Sequence, residues 1–294
     1  MGPGGTIKSK GIMKILLGSL LLCAITQAGE AQYYYKDLVA NRDNTSRWKA
    51  YRENHVRAVT LLSLEGSGKP TEGFLGEQEV RGDVAEIITH TKSSGTTDSW
   101  IITDYSPQGR ITKNTDTSDT YENISAYAYD DRGRITSISD TSHETDNHLK
   151  EVEQHLWSYD PAHPDRPSSM LKIKNGNDTT IVRFVLDEKG NVTEERASRL
   201  GTALPPIYYY YDANNRLTDI VRYNARAQRL LPINIFEYGE DGKVSSALIV
   251  PEEGNSFYQK WYYVYDDKGL KIKDFCYNKE KELLGTIEYQ YSYK

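Results

Sequence analysis

Apolar and polar side chains alternate in several short stretches between the middle of the chain and its end. An alternation with period 2 is typical of a β-strand, in which successive side chains point to opposite faces of the sheet. We expect the more apolar face of each stretch to form the core. These faces are Ser125, Tyr127, Tyr129; Val182, Phe184, Leu186; Ile207, Tyr209, Tyr211; and Trp261, Tyr263, Tyr265.

Each stretch ends in an anchor residue, mostly tyrosine, and the anchor recurs roughly every 24 to 30 residues. An Asp often follows the anchor, and its side chain can close a turn onto its own backbone. Four residues after the anchor comes a glycine or asparagine, which suits a left-handed turn position before a bulge. The turn residues of the six clean copies are Gly109, Gly133, Gly190, Asn215, Gly242 and Gly269.

A basic residue and then Ile, Val or Leu follow most of these turn residues and begin the next strand. A less regular copy starts at Leu64. Another starts at Tyr159, and in that copy prolines replace the glycine turn. Because Gly133 and Gly242 are copies of one position, we expect equal effects from substituting either of them.

This repeat predicts an all-β fold, an antiparallel meander of repeated hairpins with a short N-terminal helix. We expect a single sheet that curls into an open barrel or shell. A propeller is the second choice, since its blades need about 40 residues. Asn44, Thr45 or Ser46 can cap a helix that runs through Trp48 and covers an open end or edge of the sheet.

Two copies carry a recognisable longer motif. Residues 127–136 read YAYDDRGRIT and residues 209–218 read YYYDANNRLT. Both resemble the YD repeat of the Rhs family of bacterial surface and secreted proteins, and the resemblance covers roughly residues 98–294. It implies a β shell at or outside the cell envelope. Large members of that family enclose a C-terminal toxin, but residues 287–293 look like a strand, so we expect no toxin activity.

The N-terminus has the pattern of a secretory signal peptide. Lys14 precedes an apolar run at 15–25, and small residues end at Ala31. We expect residues 1–31 to be a signal peptide, of which 1–12 are an upstream extension. Residues 32–97 would then hold the helix and first strands, and 98–294 the repeats. A lipoprotein anchored through Cys23 is the alternative, and a transmembrane span after signal removal is not expected.

Composition narrows the partners. Removing residues 1–31 takes away three lysines and one glutamate, so the formal net charge changes from −6 to about −8. An acidic chain is not expected to bind nucleic acid. The 23 tyrosines against 5 phenylalanines suit thin sheets with a core close to water, or a glycan-binding surface. For the latter we predict Tyr208, Tyr210 and Tyr262 as ligand-binding residues, and we expect a protein or a cell-surface glycan as partner.

No catalytic motif is present in the sequence. The one cluster with metal-binding residue types spans 143–165, and its histidines, at spacings of 5, 7 and 8, match no compact zinc pattern. We expect a polar loop there, and neither a metal nor a cofactor. The histidines are His143, His148, His155 and His163, with Asp140, Glu144, Asp146, Glu151, Asp160 and Asp165 among them.

The sequence therefore favours an exported, non-catalytic structural or protein-interaction module of the cell envelope. A carbohydrate-binding module and, less favoured, a metal-dependent hydrolase remain the alternatives. Cys276, beside Phe275 and Tyr277, is expected to be a buried structural thiol.

Signal peptide cleavage has a direct test. Mass spectrometry of the purified exported protein should show a mature chain that begins at Gln32. A lipid-modified Cys23 at the N-terminus would show the lipoprotein route instead.

Overall fold

The computed structural model describes residues 33–94, 98–144, 150–250 and 258–294, which form one helix, α1, and a large β-sheet. The N-terminal residues assigned to the signal peptide lie outside the described residues. The helix α1 spans Lys36–Glu53. The strands are β1 Val56–Glu65, β2 Leu75–Arg81, β3 Glu86–Lys92, β4 Ser99–Tyr105, β5 Ile111–Ser118, β6 Tyr121–Tyr129, β7 Ile135–Glu144, β8 Lys150–Tyr159, β9 Pro167–Lys174, β10 Asp178–Leu186, β11 Val192–Arg199, β12 Thr202–Ala203, β13 Ile207–Tyr211, β14 Leu217–Asn224, β15 Arg229–Tyr238, β16 Val244–Ile249, β17 Gln259–Tyr265, β18 Lys271–Tyr277 and β19 Leu283–Tyr293.

The strands form one antiparallel meander that closes into a barrel. Each strand pairs with its neighbours in the chain, and β1 pairs with β19 from Val56↔Tyr293 to Glu65↔Gly285. The short β12 and the longer β13 both pair with β11, so the 19 described strands occupy 18 positions around the barrel. The predicted all-β meander of hairpins is confirmed, and the curled sheet closes into a barrel.

The turns of the six clean copies and of the copy at Tyr159 lie at one end of the barrel, which we name the turn end. At each anchor the strand register shifts by one residue, as at Ala128/Tyr129, Tyr210/Tyr211 and Glu237/Tyr238. The backbone adopts positive φ at all six turn residues, from +67° at Asn215 to +90° at Gly190. This combination is the bulged turn that lets a hairpin keep its right-handed twist.

The Asp that follows the anchor shapes the turn and also holds the basic residue. In the turn after Tyr129, the Oδ1 atom of Asp130 accepts hydrogen bonds from the backbone N–H groups of Arg132 and Arg134, both at 3.0 Å. Its Oδ2 atom accepts from Arg134 Nε at 2.7 Å. Asp212 binds Arg216 in the same way. The carboxylate therefore fixes the direction of the guanidinium at the surface of the turn end.

Neighbouring repeats are joined by a contact that we name the inter-repeat clasp. The anchor tyrosine hydroxyl donates to the backbone carbonyl of the residue that starts the second strand of the preceding repeat. The clasps and their O···O distances are Tyr129–Ile111 2.7 Å, Tyr159–Ile135 3.0 Å, Tyr211–Val192 2.9 Å, Tyr238–Leu217 2.6 Å and Tyr265–Val244 3.1 Å. Tyr291 of β19, which is not followed by a repeat turn, makes the same contact with Lys271 at 2.7 Å.

The basic residue of one repeat lies over the anchor ring of the next. The guanidinium carbon of Arg134 is 4.4 Å from the ring centroid of Tyr159, and that of Arg216 is 4.5 Å from Tyr238. Arg110 makes a longer contact of 5.8 Å with Tyr129. Each cation–π contact of this kind contributes roughly 0.5–1 kcal/mol at an exposed site.

Basic side chains add a steric reason for glycine at three of the six turn residues, Gly133, Gly190 and Gly269. A Cβ atom at Gly133 would overlap the guanidinium of Arg110, and one at Gly190 would lie 2.6 Å from Arg166 Nε. No atom lies within 4 Å of the Cβ position at Gly242. The environments of Gly133 and Gly242 therefore differ, although the repeat pattern makes them equivalent.

Asn215, the exception among the turn residues, follows the one repeat whose basic position is an asparagine. Asn191 Nδ2 donates to Asn215 Oδ1 at 2.6 Å. Because no long cation crosses this turn, there is room for a side chain, and the two amides replace the cation–π contact with a hydrogen bond.

Helix α1 starts earlier than predicted and lies inside the barrel. It begins at Lys36 rather than after Asn44–Ser46 and carries no side-chain cap from its own N-cap residue, Tyr35. Trp48 stacks on Tyr105 of β4 at 4.4 Å between ring centroids, and Asn41 donates to the Tyr129 hydroxyl of β6 at 2.7 Å. Contacts with the inner faces of several strands place α1 in the lumen, where it fills one end of the barrel rather than covering an edge of the sheet.

Substitutions at two turn residues should separate backbone strain from crowding. Gly133→Val should lower the melting temperature most, since a β-branched residue at positive φ costs on the order of 1–3 kcal/mol. Gly133→Asn should cost less, because Asn tolerates this conformation. Gly242→Asn should cost least, since no side chain has to move. Thermal unfolding followed by circular dichroism checks this order, and equal melting temperatures for all three variants would contradict the turn geometry.

Candidate functional site

The lumen is too wide for α1 to fill. With strands about 4.8 Å apart, 18 positions give a barrel roughly 27 Å across, or more if the strands tilt. A helix with its side chains is about 10–12 Å wide. Arg47 on α1 is exposed to solvent, yet its charge interacts with Tyr105 and Tyr289 of the inner wall. Arg47 therefore faces open space inside the barrel.

The inner wall is apolar near the turn end and polar toward the opposite end. The first inward residues after the turns include the buried Ile111, Ile135 and Leu217. Further along the same strands, polar side chains bond across neighbouring strands. These pairs include Thr103 with Asn114 at 2.8 Å, Ser142 with Asn123 at 2.7 Å, Tyr121 with Asp116 at 3.3 Å and Ser125 with Asp140.

A buried carboxylate accepts hydrogen bonds from the backbone of the residues just before α1. Glu195, which is 2 % exposed, accepts the backbone N–H groups of Tyr34 at 2.9 Å and Tyr35 at 3.0 Å, and the Tyr209 hydroxyl at 2.8 Å. Burial raises the pKa of Glu195, opposed by these three hydrogen bonds. This carboxylate from β11 satisfies two free donors at the start of the helix, a capping role normally filled by a local side chain.

A network of charged side chains next to Glu195 connects α1 to β8 and β9. His155 Nδ1 lies 2.6 Å from Asp37 Oδ2, and its Nε2 lies 2.9 Å from Glu153 Oε1. Lys172 Nζ is 2.8 Å from the second oxygen of Glu153. His155 also makes an edge contact with the ring of Tyr34 at 5.6 Å. Every charged group in the network has a partner of opposite charge.

The groups of the network shift each other's pKa values. Burial would lower the pKa of His155, but the charge and hydrogen bond of Asp37 and the contact with Glu153 raise it to about 9. Burial would raise the pKa of Glu153, but hydrogen bonds from His155 and Lys172 lower it to about 2. The imidazolium and the carboxylate therefore both remain charged across the neutral range.

The structure separates the histidines that the sequence placed in one cluster. His155 lies in the lumen, His143 points outward from β7, and His163 pairs with Asp160 at the turn end, 3.1 Å apart. His148 lies outside the described residues. The prediction of one polar loop is wrong, because β7, β8 and β9 cover most of this region. Among the described residues, no three His, Cys, Asp or Glu side chains form a group that could hold a metal.

The three predicted ligand-binding tyrosines lie on the outer face, in two places. Tyr208 and Tyr210 point outward from β13, and Tyr210 is 48 % exposed. Tyr262 is 41 % exposed on β17, four strands away, or about 19 Å at the usual strand spacing. Its ring contacts Tyr277 edge-on at 5.7 Å. One small ligand would not touch all three rings.

Cys276 lies on the inner face of β18 and is 1 % exposed. Burial raises the pKa of its thiol to about 12, so the thiolate that reacts and binds metals does not form near neutral pH.

Asp37, Glu153, Lys172 and Glu195 were not singled out by the sequence. The alternation in β8 does place Glu153 and His155 on one face, which was a usable signal. The pairing of that face with Asp37 spans 118 residues in the chain, and no local pattern indicates it.

Comparisons with known proteins give limited likenesses. No family model matches the chain, and no curated protein matches it. Among solved structures, a pore form of the Tc holotoxin of Photorhabdus luminescens is 15% identical with a TM-score of 0.33, covering 74% of this chain and 12% of that chain. A porin-like protein of Bacteroides uniformis is 10% identical with a TM-score of 0.41, covering 81% of this chain and 97% of that one.

A second porin-like protein, of Bacteroides vulgatus, is 14% identical with a TM-score of 0.28, covering 81% of this chain and 98% of that chain. Likenesses of this size assign none of these proteins' properties to the chain. Separately, no helix within the described ranges is both long enough and apolar enough to cross a membrane.

The lumenal network predicts a specific dependence of stability on pH. His155 has its pKa raised from 6.5 to about 9, so its stabilising contribution is complete below pH 6.5 and is lost as the pH rises through about 9. We expect His155→Gln to lower the free energy of unfolding at pH 7 by about 3 kcal/mol, since removing one partner leaves charge uncompensated.

Urea unfolding at pH 6, 7, 8, 9 and 10 should show the difference between wild type and His155→Gln shrinking from about pH 6.5 upward and nearly lost above pH 9. His143→Gln, on the outer face of β7, serves as the control and should leave the profile unchanged. A constant difference across this range would contradict the ion pair.

Proposed function

We propose that the chain is an exported, non-catalytic β-repeat barrel that serves as a structural and protein-interaction module of the cell envelope. The signal-like N-terminus supports export. The resemblance to YD repeats supports a place at the envelope, and a closed barrel with a filled turn end supports a scaffold.

One observation carries the non-catalytic part of the proposal: the polar groups of the repeats are already committed to structure. Asp130 and Asp212 shape turns, Arg134 and Arg216 cover anchor rings, and the anchor hydroxyls close the clasps. The buried network is equally saturated, since each charge in it has a charged partner. A catalytic acid, base or nucleophile needs a group that is free to act on a substrate.

A carbohydrate-binding module is the second candidate. The outward rings of Tyr210 and Tyr262 favour it, because an exposed tyrosine offers an apolar face with a polar edge. Their separation means that they would act as two independent contacts on a long glycan. A metal-dependent hydrolase has little support, because the histidines lie on different faces and at different ends of the barrel.

Site-specific photo-crosslinking in the producing cells tests the interaction module. A benzophenone amino acid is placed at four outward positions around the barrel, Glu79, Gln154, Tyr210 and Tyr262. A specific protein partner should give one adduct of constant mass, at neighbouring positions and not at all four.

The absence of protein adducts at all four positions would contradict a protein-interaction role. A second strain carries His155→Gln. If this strain behaves like a deletion strain although the barrel is folded and present at normal levels, the result would contradict the non-catalytic proposal.

A further inference from the structure

An exposed tryptophan stands on the outer face of the barrel, near the end opposite the repeat turns. Trp100 of β4 is 44 % exposed, and its ring stacks on that of His90 in β3 with centroids 3.9 Å apart and planes inclined by 5°. His90 Nε2 lies 3.3 Å from Asp98 Oδ2, and Lys92 Nζ lies 2.8 Å from the other oxygen of Asp98. One face of the indole is therefore covered, and the backing histidine is itself held in place.

The strand register shows what stands beside the other face. Trp100 pairs with Thr117 of β5, and Thr117 pairs with Glu122 of β6. Thr117 is short, and its hydroxyl donates to the Trp100 carbonyl at 3.4 Å, so its side chain lies low on the sheet. Glu122 stands two strands from Trp100, about 9.6 Å away at the usual spacing. The outer face therefore carries an indole, a short threonine and a carboxylate in line on three neighbouring strands, and we name the space above Thr117 the slot.

The slot has room for one saturated ring and its hydroxyl groups. A ring stacked on the indole would lie about 4 Å from it, at carbon–carbon contact distance. The remaining width of roughly 5 Å allows a hydroxyl group to reach Glu122 at an ordinary O···O distance of about 2.7 Å. His143 of β7 pairs with Glu122 and adds a second polar group on that side.

We propose that this slot binds a pyranose ring of a saccharide, whose C–H face stacks on Trp100 while its hydroxyls bond to Glu122. The proposal deepens the proposed function by naming a ligand class for a non-catalytic envelope protein, and it rests on that function. It uses residues that are separate from Tyr208, Tyr210 and Tyr262. An organic cation fits less well, since an aromatic cage needs rings on more than one side and the slot has a single indole wall.

A purely structural role would be a cross-strand pair that stabilises the sheet, which contributes up to about 1 kcal/mol. The two roles differ in a measurable way. A structural pair changes melting temperature when Trp100 is replaced, whereas a ligand platform changes affinity even where stability is preserved.

Calorimetric titration of the full mature chain tests the slot. The probes are cellohexaose, chitohexaose, mannohexaose and xylohexaose, with tetramethylammonium as the cation. We expect at least one hexaose to bind with micromolar to millimolar affinity. Trp100→Ala should weaken it at least about tenfold, equal to about 1.4 kcal/mol. Glu122→Gln should weaken it severalfold, because a carboxylate acceptor becomes a neutral amide. Tyr223→Ala, which replaces an aromatic that is 47 % exposed elsewhere on the barrel, is the matched control and should bind as the wild type does.

Three results would overturn the proposal: no hexaose binds, Trp100→Ala binds as well as wild type, or tetramethylammonium displaces the bound hexaose. Failure of the proposed function looks different. Shortened oligosaccharides in the titrated mixture would contradict a non-catalytic module and leave the slot intact. Protein crosslinks without saccharide binding would overturn the slot and leave the module intact.

Discussion

The inter-repeat clasp is the interaction on which the barrel depends. The anchor hydroxyls of Tyr129, Tyr159, Tyr211, Tyr238 and Tyr265 donate to a carbonyl of the preceding repeat, as Tyr238 does to Leu217 at 2.6 Å. A basic side chain covers the ring of Tyr238. A hydrogen bond of this kind contributes on the order of 1 kcal/mol. Five such bonds therefore compare with the whole net stability of a domain, about 5–15 kcal/mol. The clasp also explains the preference for tyrosine over phenylalanine at the anchors.

A closed barrel of this width cannot form a core by packing its opposite walls together, and the clasps supply part of the missing stability. The wall cannot pack against an opposite wall, so each repeat must gain its stability from its neighbours and from whatever fills the lumen. At the turn end α1 supplies the filling, with Trp48 on Tyr105 and Tyr34 beside His155. Toward the other end, polar side chains bond to one another across strands and remain compatible with water.

The lumenal network and the outer slot have different roles: the network stabilises the fold, and the slot is the proposed ligand site. Asp37, His155 and Glu153 are buried and mutually paired, which makes them costly to disrupt and unavailable to a substrate. Trp100 and Glu122 stand on the outside, where a ligand can reach them. This contrast supports the scaffold role proposed above.

The sequence by itself determined the strands, the turn end and the register of the repeats, because period-2 alternation and positive-φ residues such as Gly133 and Asn215 are local properties. Closure of the sheet depends on β1 meeting β19, a pairing of residues more than 200 positions apart, for which the chain carries no local pattern. The position of α1 could not be predicted for the same reason: its polar surface suits a solvated lumen as well as a solvent-exposed edge. The tertiary structure was needed to bring Asp37 to His155 and to place Trp100 two strands from Glu122 on one outer face. It also set Arg110 against Gly133 while leaving Gly242 open. No local pattern indicates these placements, because each depends on how separate elements pack.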